Sequence, residues 1–89
     1  MNMKKVRLYG FDGCPFCNEL KNLLIEDSIL FDYIDIENER YKKEVDKVME
    51  LAKTDSVPIV IVNKMILSPE ISFKSIKEAV NIIKKFLNE

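Results

Sequence analysis

Two cysteines, Cys14 and Cys17, are the side chains whose type and spacing point most directly to chemistry. They lie in the stretch Gly10-Phe11-Asp12-Gly13-Cys14-Pro15-Phe16-Cys17, which contains every cysteine and every glycine of the chain. Cysteines separated by two residues are typical of a dithiol that cycles between reduced and disulfide forms, with the thiolate as the attacking species. The motif therefore predicts a redox-active thiol pair.

The flanking sequence predicts that this motif joins a strand to a helix. An apolar-alternating run, Val6-Arg7-Leu8-Tyr9, precedes it, and apolar residues at helical spacing follow it. If Cys14 is the N-cap and Pro15 the first helical residue, the proline costs no hydrogen bond and its φ suits the first turn. The Cys14 sulfur then faces unpaired N–H groups, which favour the thiolate and lower the thiol pKa from about 8.5 to about 3.5–7.5. This geometry predicts a reactive sulfur.

An inert, a metal-binding or a purely structural cysteine pair fits the sequence less well. Free cysteines are often inert core residues, but a segment with two glycines, a proline and Asp12 should be exposed at a turn. A structural zinc site needs about four protein ligands, and the chain has no histidine and no third cysteine, so we expect no metal. A passive staple across so short a loop would stabilise little, because the entropy term grows with loop length.

Length and composition bound the remaining possibilities. Eighty-nine residues fit one domain spanning 1–89, with 47% apolar residues for its core. A net charge of −1 argues against nucleic acid as a partner, and the absence of histidine excludes a Cys-His hydrolase in cis. No secretory signal or membrane-length apolar run is evident, so we expect a cytoplasmic protein without membrane contact. No surplus apolar face is evident either, so we expect a monomer.

Hydrophobic periodicity predicts an α/β protein with the element order β-α-β-α-β-β-α. The lysine-rich face of the second helix is interpreted as solvated, because acidic residues are interspersed with the lysines. Strands are expected at residues 5–9, 29–36, 57–62 and 65–67, and helices at 15–26, from an Asn38 N-cap to about 53, and from a Ser72 N-cap to about 87. These elements form a four-stranded mixed sheet with three helices covering both faces. The thiol pair then lies at the carboxyl end of the first strand, where such sheets place their sites.

Three segments resemble a small dithiol glutaredoxin, a member of the thioredoxin superfamily: Tyr9 to Cys17, Phe31-Asp32-Tyr33-Ile34-Asp35-Ile36, and Ser56-Val57-Pro58. The resemblance extends in register to Met65. It implies the minimal thioredoxin fold and a redox-active disulfide between Cys14, the attacking thiol, and Cys17, the more buried resolving thiol. It also implies that Pro58 is a cis-proline beside that disulfide.

The same resemblance implies a function and its partners. The implied function is a glutathione-dependent thiol–disulfide oxidoreductase that reduces protein or mixed disulfides. It implies glutathione as co-substrate, no bound cofactor, and a disulfide-containing client, for example a ribonucleotide reductase. The expected substrate contacts are Phe16, Ser56, Val57, Pro58 and Ser72.

The chain departs from the glutaredoxin pattern where the glutathione carboxylate would bind. The Gly-Gly turn and the helix-starting Asp of the family are replaced by Leu67-Ser68-Pro69-Glu70-Ile71-Ser72, in which Pro69 lacks an N–H and Glu70 would repel a carboxylate. Ser72 and Lys74 would still favour an anion. An alternative is therefore a glutaredoxin-like protein reduced by a thioredoxin-reductase-type flavoprotein. An iron–sulfur cluster carrier or a pure binding module is a third hypothesis. Pro15 and the second cysteine, Cys17, disfavour the cluster carrier, and a binding module would not need Cys14 to capture its partner.

Overall fold

The computed structural model describes residues 6–88, and within that range strands and helices follow the predicted order β-α-β-α-β-β-α. A short 3-10 turn, Glu39–Tyr41, leads into the second helix. No helix in this part of the chain is long and apolar enough to cross a lipid bilayer. The elements are β1 (Val6–Gly10), α1 (Pro15–Glu26), β2 (Asp32–Asp35), α2 (Lys42–Ala52), β3 (Ile59–Val62), β4 (Met65–Leu67) and α3 (Ile76–Leu87).

The described strands form one mixed sheet in the order β2-β1-β3-β4. β1 runs parallel to β2 and antiparallel to β3, so that Tyr9 is paired with Ile34 on one side and Ile59 on the other. β3 and β4 form a hairpin whose connecting residues, Asn63 and Lys64, both have positive φ, as tight two-residue turns require. The carboxyl end of β1, from which the cysteine motif emerges, therefore lies in the middle of the sheet.

Helices cover both faces of the sheet, as expected from the sequence. Successive residues of a strand point to opposite faces, so Leu8 enters one core and Tyr9 the other. The first core joins α1 and α3 to the sheet and includes Leu20, Leu24 and Ile83, all fully buried. The second core lies under α2. The predicted α/β architecture, with its four-stranded mixed sheet and three helices within residues 6–88, is confirmed.

A polar network ties α2 to β1 beside the second core. The Tyr9 hydroxyl and an Arg7 guanidinium N–H both donate to the same Glu44 carboxylate oxygen, each at 2.6 Å. These hydrogen bonds lower the pKa of Glu44, with the Tyr9 hydroxyl as the larger cause. The pKa of Arg7 is raised, first by the hydrogen bond that its Nε donates to the Tyr9 hydroxyl oxygen and then by the bond to Glu44. The network fixes α2 against the sheet that positions the motif.

Several strand boundaries differ from the sequence-based expectation. β2 begins at Asp32 and not at residue 29, because Ser28 has φ 58° and the Ile29 N–H donates to the Leu24 carbonyl at 2.9 Å, which ends α1. β1 extends to Gly10, and its expected start at residue 5 lies outside the described residues. β3 begins at Ile59, after the proline that cannot donate to a sheet.

The start of α2 is divided into two parts. Asn38 does act as a cap, since its side chain accepts from the Arg40 N–H at 3.0 Å, but it caps the 3-10 turn. The α-helix itself begins at Lys42 and ends before Lys53, whose left-handed conformation terminates it. A salt bridge between Lys42 and Asp46 at 3.2 Å is consistent with the interpretation of this face as solvated.

The expectation that Ser72 caps α3 is wrong. The Ser72 hydroxyl accepts from the Ser68 N–H at 3.0 Å and the Ser72 N–H donates back to the Ser68 carbonyl, which closes a loop before the helix. Phe73 is buried and forms an isolated parallel β-bridge with Pro69. The cap is Ser75, whose hydroxyl accepts from a backbone N–H in the first turn of α3.

Candidate active site

The two cysteines lie where the carboxyl end of β1 meets the start of α1. Cys14 is the N-cap, with extended backbone (φ −96°, ψ 107°), and Pro15 occupies the first helical position. The Cys17 N–H donates to the Cys14 sulfur at 3.1 Å, so one donor of the helix start is directed at that sulfur. The two sulfurs form a disulfide, with 5.2 Å between the Cα atoms.

Hydrogen bonds within the motif hold this geometry. The Cys14 N–H donates to the Phe11 carbonyl at 3.1 Å, which closes the turn before the helix. The Asn18 side chain reaches back from the first turn of α1 and donates to the Asp12 carbonyl at 2.9 Å. The reactive segment is therefore fixed at both ends before any substrate arrives.

Burial distinguishes the two cysteines. Cys17 is completely buried, whereas Cys14 keeps 6% exposure, with Asp12 and Gly13 exposed on one side and Pro15 on the other. The segment is exposed as the sequence indicated, but Cys14 itself, bonded to Cys17, is less exposed than expected. Of the two cysteines, only Cys14 keeps any exposed surface.

Gly10 allows the buried sulfur to approach the sheet. A Cβ on Gly10 would lie 2.7 Å from Cys17 Sγ and 2.8 Å from its Cβ, closer than side chains tolerate. Its backbone does not have positive φ, so the requirement is one of space and not of conformation. Gly13 is different, because a Cβ there would meet only the Phe11 ring at 3.3 Å.

A groove of about 120 Å³ begins beside the disulfide, since Phe16 from between the two cysteines forms part of its wall. The Val57–Pro58 peptide bond, which is cis, lines the same groove. Of the expected substrate contacts, Phe16, Val57 and Pro58 thus come together here. Ser56 and Ser72 do not line the groove, and Ser56 donates its N–H to Thr54 Oγ1 at 3.1 Å.

The rest of the groove lining comes from the loop before α3 and from the start of that helix. It places one acid and one base in the groove, Glu70 and Lys74, together with Pro69, Phe73, Ser75 and Ile76. The contribution of Phe73, Ser75 and Ile76 was not foreseen. A signal was available, because Ser75 and Glu78 have the spacing of a capping box. The Glu78 N–H donates to Ser75 Oγ at 3.1 Å, whereas the Glu78 carboxylate accepts at 2.7 Å from the N–H of Lys74, one residue before the cap.

Tyr33 on β2 is a neighbour of the pair that the sequence did not single out. Its hydroxyl is buried and has no hydrogen-bond partner among the protein groups of residues 6–88. Burial is the main cause that raises the pKa of Tyr33, and the charges of Asp12 and Asp35 add to it. The Lys21 ammonium lies 4.3 Å from the ring centroid. The phenol is therefore a protonated hydroxyl at neutral pH.

No group of three or more His, Cys, Asp or Glu side chains is placed to hold a metal ion in the described part of the chain. The paired sulfurs are already joined to each other. The motif therefore presents a disulfide between Cys14 and Cys17.

The chain matches the model of the Glutaredoxin family over residues 6–66, more than half of its length, and it matches no curated protein sequence. Among solved structures, a glutaredoxin from Archaeoglobus fulgidus is similar with a TM-score of 0.70 and 23% identity, over 99% of this chain and 90% of that one. Glutaredoxin 1 from Francisella tularensis is similar with a TM-score of 0.65 and 24% sequence identity, over 94% of this chain and 96% of that one. A mutant of a thioredoxin-like protein is similar with a TM-score of 0.70 and 19% sequence identity, over 97% of each chain. The structural neighbours share the thioredoxin-like fold.

Proposed function

The chain belongs to the glutaredoxin family and is a thiol–disulfide oxidoreductase with a redox-active cysteine pair, and on that premise we propose that it reduces protein and mixed disulfides with glutathione as electron donor. Cys14 is the nucleophile and Cys17 the resolving thiol. The single observation behind this assignment is the N-cap geometry, in which the Cys17 N–H is directed at the Cys14 sulfur at 3.1 Å.

In the first step, the Cys14 thiolate attacks one sulfur of a substrate disulfide RS–SR′. The bond between Cys14 and RS forms, the RS–SR′ bond breaks, and R′S⁻ leaves with the electron pair and takes a proton from solvent. The helix start stabilises the attacking thiolate through its N–H groups and its dipole. Cys14 suits this role because it is the only one of the two cysteines with any exposed surface.

In the second step, the mixed disulfide on Cys14 is resolved. The Cys17 thiolate attacks Cys14, RS⁻ leaves, and the enzyme disulfide forms, so that two electrons pass to the substrate. Alternatively, a glutathione thiolate attacks the mixed disulfide when the substrate is glutathionylated. That attack releases glutathione disulfide and restores the Cys14 thiolate, so no Cys14–Cys17 disulfide forms on this route. Where Cys17 has resolved the mixed disulfide, two glutathione molecules reduce the Cys14–Cys17 disulfide to two thiols and are themselves oxidised to glutathione disulfide.

The groove beside Phe16 is proposed as the substrate site. An extended thiol peptide would lie along Val57 and Pro58, with the Val57 backbone offering strand-like hydrogen bonds. Lys74 and the start of α3 favour a carboxylate at the far end, as glutathione would supply. A client such as the disulfide of a ribonucleotide reductase would use the same groove. We include in the proposal a single domain over residues 1–89, a monomeric state and a cytoplasmic location.

A thioredoxin-reductase-type flavoprotein is a second candidate for the electron donor. Glu70 and Pro69 line the groove where the carboxylate of glutathione would lie, so that one wall repels it and lacks an N–H donor. A flavoprotein would deliver electrons directly to the disulfide and would not need this subsite.

Parallel turnover assays separate the two donors. We expect reduction of a small disulfide with glutathione and glutathione reductase to exceed reduction with NADPH and thioredoxin reductase. Cys14→Ser should abolish activity with either donor. Cys17→Ser should keep turnover of glutathione mixed disulfides, whereas with a flavoprotein donor it would lose nearly all turnover. Activity that persists in Cys14→Ser would exclude the proposed chemistry.

A further inference from the structure

Cys17 and Tyr33 converge on one small space next to Gly10. A methyl group on Gly10 would lie 2.7 Å from the Cys17 sulfur and 3.1 Å from the Tyr33 hydroxyl oxygen. The distance between the Cys17 sulfur and the Tyr33 hydroxyl oxygen therefore cannot exceed the sum of these two distances. Cys17 is completely buried and the Tyr33 hydroxyl oxygen is buried as well, so the two groups are neighbours in the protein interior.

The Tyr33 hydroxyl is the only buried side-chain polar atom without a hydrogen-bond partner in residues 6–88. Buried hydroxyls are nearly always paired, and an exception calls for a specific reason. The disulfide sulfur of Cys17 is a weak acceptor. Reduction converts it to a thiol or thiolate, and a thiolate is a far better acceptor for the same hydroxyl.

The groups that face Tyr33 keep it available as a donor. Asp12 from the loop after β1 and Asp35 from β2 both disfavour a negative phenolate, and burial does so more strongly. Lys21 from α1 lies over the ring face. The hydroxyl accordingly retains its proton through the range in which thiols exchange.

We propose that the Tyr33 hydroxyl donates a hydrogen bond to the Cys17 thiolate in the reduced enzyme and so promotes the resolving step. The inference rests on the proposed role of Cys17. The Cys17 thiol gives its proton to solvent, and the thiolate held by Tyr33 attacks the Cys14 mixed disulfide. The Cys17–Cys14 bond forms, and the departing thiolate takes a proton from solvent. Tyr33 keeps its own proton throughout.

The expected size of the effect follows from a hydrogen bond to a charged group. Such a bond corresponds to about one to two pKa units, so Tyr33→Phe should raise the Cys17 pKa by about that amount. A higher pKa leaves less of Cys17 as thiolate, which slows the reaction. A more basic thiolate is also a better nucleophile, with a Brønsted coefficient of about 0.4–0.5, and this recovers part of the lost rate. Below the pKa, resolution should therefore slow by about 3- to 10-fold.

Stopped-flow reaction of the reduced protein with 4,4′-dithiodipyridine separates the two steps. The first thiopyridone is released in a bimolecular phase by Cys14, and the second in a concentration-independent phase by Cys17. We expect Tyr33→Phe to leave the first phase unchanged and to slow the second, with its pH midpoint shifted upward. Tyr41→Phe, which removes a hydroxyl from the other core, should leave both phases unchanged.

The outcomes distinguish failure of this inference from failure of the proposed function. If Tyr33→Phe keeps the wild-type midpoint and rate of the second phase, Tyr33 does not act on Cys17. If Cys17→Ser still shows the second phase, Cys17 is not the resolving thiol and the proposed function is wrong at that point. Thermal unfolding of Tyr33→Phe checks that the variant is folded, since a purely structural role would lower stability without moving the pH midpoint.

Discussion

Replacing Gly10 with alanine tests how closely the buried sulfur approaches the sheet. The added methyl would lie 2.7 Å from Cys17 Sγ and 2.8 Å from Cys17 Cβ. Cys17 cannot move aside easily, because it is fully buried and bonded to Cys14 in the oxidised form. Overpacking a tight core in this way costs about 1–3 kcal/mol. We therefore expect Gly10→Ala to lower the free energy of unfolding of the oxidised protein by that amount.

Gly13→Ala is the matched control. Its Cβ would meet only the edge of the Phe11 ring, at 3.3 Å, and its backbone φ is not positive. Alanine also restricts the unfolded chain at such a site, so the free energy of unfolding should change by less than about 1 kcal/mol.

Urea unfolding at equilibrium, with and without reductant, measures both variants. In the reduced protein the Cys17 sulfur is free to rotate away from the methyl, so the Gly10→Ala cost should be smaller than in the oxidised protein. The substitution should therefore make the disulfide more oxidising as well. For a domain of this size, 1 kcal/mol corresponds to about 4–8 °C in Tm. A Gly10→Ala protein as stable as Gly13→Ala in the oxidised form would refute the packing geometry.

Three further substitutions test the α2 network, the start of α3 and the groove. Glu44→Gln weakens the hydrogen bonds from Tyr9 and Arg7 that hold the pKa of Glu44 below its usual 4.5. The stability that these bonds give the wild-type protein is fully present above pH 4.5 and is lost as the pH falls through the lowered pKa. We expect a cost of about 1 kcal/mol at pH 7 in urea unfolding, after screening at this partly exposed site, and none at low pH. Ser75→Ala removes the α3 cap and should cost about 1 kcal/mol in the same assay. Glu70→Gln should lower KM for glutathione up to about fivefold without changing kcat, the size of one like-charge contact in water.

Each of these three substitutions has a matched control, in which the same residue type is replaced in the same way at another position. Glu50→Gln, exposed on α2, should show no comparable pH-dependent loss. Ser72→Ala should leave the α3 cap intact, and an equal loss of helix signal in both serine variants would contradict the assignment of Ser75. Glu26→Gln, exposed at the end of α1, should leave KM for glutathione unchanged. An unchanged KM in Glu70→Gln would remove the main objection to glutathione as donor.

Local signals in the sequence were sufficient where one residue type met one requirement. The bounds of α1 were predicted correctly, because Pro15 fits only the first helical position and Cys14 fits the cap. The β3–β4 hairpin was predicted from two linking residues between apolar runs, and both residues adopt the positive φ that such a turn needs.

Other features depend on contacts that the sequence does not display. Ser72 and Ser75 are equally good caps by type, and the choice was decided by the hydrogen bonds of Ser72 with Ser68 and by the burial of Phe73. The Tyr9–Glu44 hydrogen bond joins residues far apart in the chain, so no local pattern reveals it. The same holds for Tyr33, whose approach to the cysteines follows from strand pairing.

The central claim is that the start of α1 stabilises a thiolate on Cys14. The most direct measurement is the pKa of that thiol, taken from the pH dependence of alkylation by iodoacetamide in the reduced Cys17→Ser variant, where Cys14 is the remaining cysteine. We expect a pKa well below that of a free cysteine, within about 3.5–7.5. A midpoint at about 8.5 or higher would contradict the account, because Cys14 would then gain nothing from its position at the helix start.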